Sequence, residues 1–284
     1  MERHTEQSNV VMTNHPLATT ADTPLLLREM IDAIAVLTLN SPASRNALSE
    51  GMIAALHAEI GASAADSKVR AIVIAASGTA FCAGHDLKQL TAHRSDPDGG
   101  RGYFRHIMTS CAAMMQAIVH CPKPVIAAVN GVATAAGCQL VATCDLAVAS
   151  SAARFATPGV DIGLFCSTPM VALTRNIPRK QAMEMLLTGE PISAETAAGL
   201  GLINSVVEPG AEHAAAIALA QQIARKSAHV LKIGKTAFYR QAEMSLADAY
   251  AYAAEVMTEN MMARDADEGI TAFIEKRPPR WEDR

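Results

Sequence analysis

Four short apolar runs separated by helical patterns set the strongest constraint on how this chain folds. They are "IAVLTL" at 34–39, "AIVIAA" at 71–76, "PVIAAVNG" at 124–131 and "DLAVAS" at 145–150. Each has the length and the Asn, Ser, Gly or Pro punctuation of a strand buried on both faces. Between the first two, Leu48, Met52, Leu56 and Ile60 recur every fourth position around Ser49, whose hydroxyl suits a helix start. Phe104, Ile107, Met108, Met115 and Ile118 mark one face of a later helix. Repeated strand and helix predict an α/β protein with parallel connections and exclude a sandwich or a bundle. After the Asn130-Gly131 break, the small residues of "TAAGCQLVATC" suit a helix start packed tightly on a strand.

The 284 residues are 50% apolar and 18% charged, which excludes a disordered chain. No uncharged apolar run approaches the roughly 20 residues of a membrane span. A formal net charge of -4 gives no general attraction to nucleic acid or to an anionic membrane. The N-terminal "MERHTEQSNVVMTNHPLATTADTP" is polar and lacks a signal core, so residues 1–24 read as a flexible extension and the location as cytoplasmic. Six scattered cysteines without a CxxC pair read as buried reduced thiols, and no metal site is expected.

Past Glu208-Pro209-Gly210 the sequence turns Ala-rich and helical. This divides the chain into a core at 25–210 and a helical C-terminal subdomain at 211–284. Phe238, Tyr239, Leu246, Tyr250, Met257, Met261 and Met262 supply apolar faces suited to a core or a subunit interface.

Two segments pair an apolar strand with a small-residue turn: "SGTAFCAGHDLKQL" at 77–90 and "NGVATAAGCQL" at 130–140. Free N–H groups at helix starts favour developing negative charge, so two such turns facing one another make an oxyanion hole. Taken alone, each turn is also the signature of close packing. Asp86 reads as a helix cap.

Taken together, "SRNALS" at 44–49, "AFCAGHDLKQL" at 80–90, "PKPVIAAVNGVATAAGCQLVATCDLAVAS" at 122–150, "FATPGVDIGLF" at 155–165, "LLTGEPISAETAAGLGLINSVV" at 186–207 and "AFIEKRPPRW" at 272–281 resemble the enoyl-CoA hydratase/isomerase, or crotonase, family. The motifs occur in order from about residue 25 to 281. The resemblance implies a ClpP-like ββα spiral core, a helical C-terminal subdomain that mediates trimer formation, and often a dimer of trimers. It implies an acyl-CoA thioester as ligand, with coenzyme A as part of the substrate and no other cofactor. Its carbonyl would sit between the backbone amides of His85 and Ala136, and CoA would lie against Arg45, Ala47, Ala83, His85, Asp86, Leu87 and Lys276. Lys276 and Arg277 read equally as a solvated charged tail.

The same resemblance places a catalytic glutamate at each of two positions that here hold Gln139 and Gly159. A glutamine amide holds a water but does not take up a proton near neutral pH, and glycine supplies no side chain. General acid–base groups contribute about 10²–10⁴ each, so hydration should be poor. Restoring both carboxylates, Gln139→Glu with Gly159→Glu, should raise it if only the carboxylates are absent. Asp161 is the nearest replacement, sharing a face with residue 159 if the segment is strand-like; a capping or surface role is the alternative. Cys138, Cys166, Ser167 and Thr168 lie in segments that line the family's pocket, without an adjacent base. Two functions follow: an enzyme of acyl-CoA metabolism relying on the oxyanion hole, or a non-catalytic acyl-CoA-binding or regulatory protein.

Overall fold

The computed structural model describes residues 24–284; the extension expected over 1–24 lies, save Pro24, outside the described residues. An antiparallel hairpin of β1 (Leu26–Ile31) and β2 (Ile34–Leu39) is followed by α1 (Glu50–Ala65). Next come β3 (Ala71–Ala76), a short β4 (Ala80–Cys82), α2 (Leu87–Ala92) and α3 (Arg101–His120). The pattern repeats as β5 (Val125–Val129), β6 (Val132–Thr134) and α4 (Ala136–Thr143), then as β7 (Leu146–Ser150), β8 (Arg154–Ala156), α5 (Pro169–Asn176) and α6 (Arg179–Thr188). The short β9 (Ile192–Ser193), α7 (Ala194–Leu200) and β10 (Ser205–Val207) precede four helices: α8 (Glu212–Ala224), α9 (Ala228–Gln241), α10 (Leu246–Met262) and α11 (Arg264–Ile274).

Each repeat sends its long strand into one sheet, ordered β1-β2-β3-β5-β7-β10, and its short strand into another, ordered β4-β6-β8-β9. Apart from the β1/β2 and β8/β9 pairs, every ladder is parallel. The result is the ββα spiral that the sequence motifs imply. The four apolar runs are β2, β3, β5 and β7.

Both faces of the larger sheet are covered, which is why these strands read as continuous apolar runs. Ala35, Leu37 and Leu39 face α1 and α3, whereas Ile34 and Val36, one residue out of phase, face Ala216 and Ala220 of α8. Ser49 caps α1, its hydroxyl accepting from the Met52 N–H at 3.2 Å. Met52, Ile53, Leu56 and Ile60 then bury the inner face of α1.

Helices α9 to α11 meet the core through polar clips. Asp145, at the start of β7, accepts from the Val125 N–H at 2.7 Å, the Lys235 ammonium at 2.6 Å and the Tyr239 hydroxyl at 2.8 Å. Near the chain end, Asp283 pairs with Arg70 at 2.6 Å and accepts from the Ala228 N–H at 2.7 Å. Of the apolar residues expected to need cover, Phe238, Leu246, Tyr250, Met257, Met261 and Met262 are exposed, whereas Tyr239 is half-buried on Asp145. Phe273, at 86% exposure, and Ile274 join the open set.

Candidate active site

Two turns interlock where β4 and β6 pair. The Ala83 N–H donates to the Arg45 carbonyl at 3.0 Å, the Leu48 N–H to the Gly84 carbonyl at 2.7 Å, and the Thr134 hydroxyl to the Ala83 carbonyl at 3.1 Å. Gly84 has φ +91, and a β-carbon there would lie 2.9 Å from that of Ala135 and 3.3 Å from the Ala136 nitrogen. Gly137 packs on the Cys82 carbonyl so closely that any side chain would collide with it. The small residues are therefore required for one turn to seat against the other.

Ala135 turns the chain into α4 with φ 50 and ψ -118, a conformation that costs a residue with a side chain of the order of 1–3 kcal/mol. Its N–H donates to the Ala156 carbonyl at 2.9 Å and its carbonyl accepts from Gln139 at 3.0 Å. Ala136 thus begins α4, where an N–H has no partner within the helix. Among the described residues neither the Ala136 nor the His85 N–H finds an acceptor. Asp86 caps α2, accepting from Lys88 at 2.9 Å and Gln89 at 3.1 Å.

The His85 backbone pairs with Leu48 in an isolated bridge, and both ring nitrogens are buried, with the Leu48 backbone the polar group beside the ring. Burial holds the imidazole below its ordinary pKa. Gln139 is 6% exposed and its Oε1 is also without a partner. Gly159 is buried in a 3₁₀ turn, Pro158–Ile162. That turn corrects the expectation for Asp161: at three residues per turn, positions 159 and 161 do not share a face. The Asp161 carboxylate is exposed, 3.2 Å from where a side chain on Gly189 would begin.

Of the residues expected at CoA, Arg45, Ala47, Ala83, His85, Asp86 and Leu87 are gathered by these backbone bonds, with Arg45 and Leu87 exposed. Lys276 follows α11, which packs on α9 and α10, and is exposed, with no ion pair among the described residues. Arg277 is committed to Glu268 at 2.7 Å and Glu275 at 2.7 Å. All six cysteines are free and buried, and burial pushes the Cys138 thiol up to about 12. Among the described residues no group of three or more side chains is placed to hold a metal. Tyr103, which the sequence did not single out, presents a buried hydroxyl to the Glu50 carboxylate, with Asp86 near by.

A family model described as Enoyl-CoA hydratase/isomerase matches residues 29–284, and the chain belongs to that family, the crotonases. It is similar to the Xenopus laevis protein named enoyl-CoA hydratase domain-containing protein 3, mitochondrial, with 49% identity over 91% of this chain and 86% of that one. The Homo sapiens protein of the same name is 47% identical over 88% of this chain and 81% of its own. A crystal structure of an enoyl-CoA hydratase from Mycobacterium smegmatis superposes with TM-score 0.87 at 52% identity, covering 91% of this chain and 99% of that one. The human domain-containing protein 3 structure gives 0.85 at 45% identity over 90% and 100% of the two chains. No described helix is long and apolar enough to cross a membrane.

Proposed function

We propose that this enoyl-CoA hydratase-like protein acts in acyl-CoA metabolism by holding a CoA thioester with its carbonyl oxygen between the His85 and Ala136 amides. The seating of Gly84 against Ala135 and Ala136, with both amides free, carries this reading. As the carbonyl becomes enolate-like its oxygen gathers charge, and two fixed N–H donors stabilise that charge more than the neutral ground state. Arg45, Ala47, Ala83, Asp86 and Leu87 supply the CoA-binding wall, with Lys276 an exposed cation for its phosphates. Gln139 orients a water, and no carboxylate takes up the proton at position 139 or 159.

The missing carboxylates favour a second reading, a non-catalytic acyl-CoA-binding or regulatory protein. Turnover assays with crotonyl-CoA and a panel of branched, malonyl and β,γ-unsaturated acyl-CoAs, with calorimetry on the same esters, separate the two. Turnover supports the enzyme, affinity without turnover the binding protein, and neither result discards both. No cofactor beyond the CoA of the ligand enters this reading. The open apolar surface of α9 to α11 accords with a homotrimer or a dimer of trimers, tested by sedimentation. A cytoplasmic location stands as a proposal beside relatives whose names say mitochondrial; fractionation decides it.

A further inference from the structure

The peptide that carries the His85 N–H is fixed at one point by hydrogen bonding. Its carbonyl, that of Gly84, accepts from the Leu48 N–H at 2.7 Å, and in a planar trans peptide the His85 N–H then points away from Leu48. One hydrogen bond leaves such a plane free to pivot about it. The chain runs on through Asp86 into α2, a helix of six residues none of which is fully buried, so apolar packing does little to fix where it starts. Among the described residues one side-chain hydrogen bond joins α2 to α1. The Glu50 N–H, at the first position of α1 where the helix offers it no acceptor, donates to Gln89 Oε1 at 2.9 Å. The Gln89 N–H donates in turn to the Asp86 carboxylate at 3.1 Å. Gln89 is thus tied both to the cap that follows His85 and to the helix that follows residues 45–49. Glu50 is itself anchored from α3, its carboxylate 3.1 Å from the His106 Nε2 and facing the Tyr103 hydroxyl.

We infer that Gln89 is a positioning residue for the thioester site: its amide oxygen, on the Glu50 N–H, gives the His85 peptide a second fixed point and keeps that N–H aimed at the carbonyl oxygen of the ligand. The inference rests on the thioester reading above and names what maintains the geometry of that same site. A donor of this kind works at about 2.7–3.1 Å from the position the charged oxygen takes, and such sites have to be held within about 0.5 Å and 10–20°. Gln89 touches no ligand in this role and acts through α2. A methionine there keeps the length of the side chain and its preference for helix but offers no comparable acceptor, whereas a glutamate keeps an oxygen for the Glu50 N–H.

Calorimetry on the full chain with butanoyl-CoA and with S-butyl-CoA, the thioether that lacks the carbonyl, tests this. The ratio of the two affinities reads recognition of the carbonyl alone. In Gln89→Met the ratio should fall about threefold or more, the size of one lost hydrogen bond, while S-butyl-CoA binds as before. The infrared carbonyl band of isotope-labelled butanoyl-CoA, lowered on binding to the wild type, should return towards its free position in the same variant. Gln89→Glu should keep both the ratio and the band. The Gln89 side chain is only partly buried, so both variants should fold, which melting curves check. An unchanged ratio and band in Gln89→Met, an equal loss of both ligands, or a loss that Gln89→Glu shares overturns the inference and leaves the thioester reading standing. A ratio near one in the wild type, or no binding of either ligand, overturns both.

Discussion

Leu164 closes on Gly159 from two directions: its N–H donates to the Gly159 carbonyl at 2.8 Å, and its own carbonyl oxygen lies 2.6 Å from where a side chain at 159 would begin. Cys166 Sγ stands 2.9 Å from the same point. The place where the family resemblance puts a second carboxylate is therefore already filled. This corrects the expectation that Gln139→Glu with Gly159→Glu restores hydration, because the glutamate must first displace backbone. Gly159→Glu should cost about 1–3 kcal/mol of stability, the usual range for an overpacked site, and add no crotonyl-CoA hydration to Gln139→Glu alone. Denaturant titration and an initial-rate assay read the two effects; wild-type stability in the variant would show that the turn gives way.

Ala135 should be improved upon by glycine. Relieving its positive φ returns part of the 1–3 kcal/mol or so of strain, against about 0.4–1 kcal/mol lost to the freer unfolded chain. Ala135→Gly is expected to raise the melting temperature, and Ala135→Val to lower it. A glycine variant that melts below the wild type would mean that the methyl group's packing on Gly84 outweighs the strain.

His85 makes stability depend on pH. Its folded pKa lies below the ordinary value of about 6.5, so around that pH the unfolded chain binds more protons than the folded one. The group's contribution is complete above about 6.5 and is lost as pH falls through the depressed value. His85→Phe should therefore lose less stability than wild type between neutral and mildly acidic buffer, measured by urea midpoints. Parallel losses in the two proteins would remove the imidazole from the account.

Among the described residues Asp145 and Lys235 form the least exposed of the ion pairs, at 16% and 9% side-chain exposure. Removing one partner of a buried pair strands the other, at about 3–5 kcal/mol. Asp145→Ala should fall in that range and exceed Lys235→Met, because it also strips an acceptor from Val125 and Tyr239. Guanidinium titration of the two single variants and the double variant gives the coupling.

The cysteines should be silent in the native state. Cys82, Cys111 and Cys138 are each pushed up to about 12 by burial, so little thiolate exists at neutral pH to attack a disulfide reagent. Labelling should proceed at the rate of unfolding, and fast labelling of Cys138 would contradict its burial beside Gln139.

The long strands and α1 were legible because burial on both faces leaves an unbroken apolar run and an amphipathic helix repeats every fourth residue; β2 and β3 match the runs at 34–39 and 71–76 residue for residue. The second sheet was not: β4, β6 and β8 are three residues each, too short for a period of two to show. At the site, Ala83-Gly84 and Ala135 to Gly137 announced close approach through their size, and Asp86 announced a cap. Gly159 could not announce its enclosure, because Leu164 and Cys166 fold back through a turn whose geometry propensity does not encode. Tyr103 gave no signal, since a tyrosine in an amphipathic helix reads as ordinary packing and only the burial of its hydroxyl beside Glu50 distinguishes it.

Asp145 and Lys235 are 90 residues apart in the chain. At about 5–20 residues per second, a ribosome needs roughly 5–18 s to make the second after the first. Through all but the first five residues of that interval β5 and β7 are complete while the ammonium that neutralises their shared carboxylate does not yet exist. The nascent spiral must therefore keep this corner wet, and water is largely displaced from it only when α9 leaves the exit tunnel.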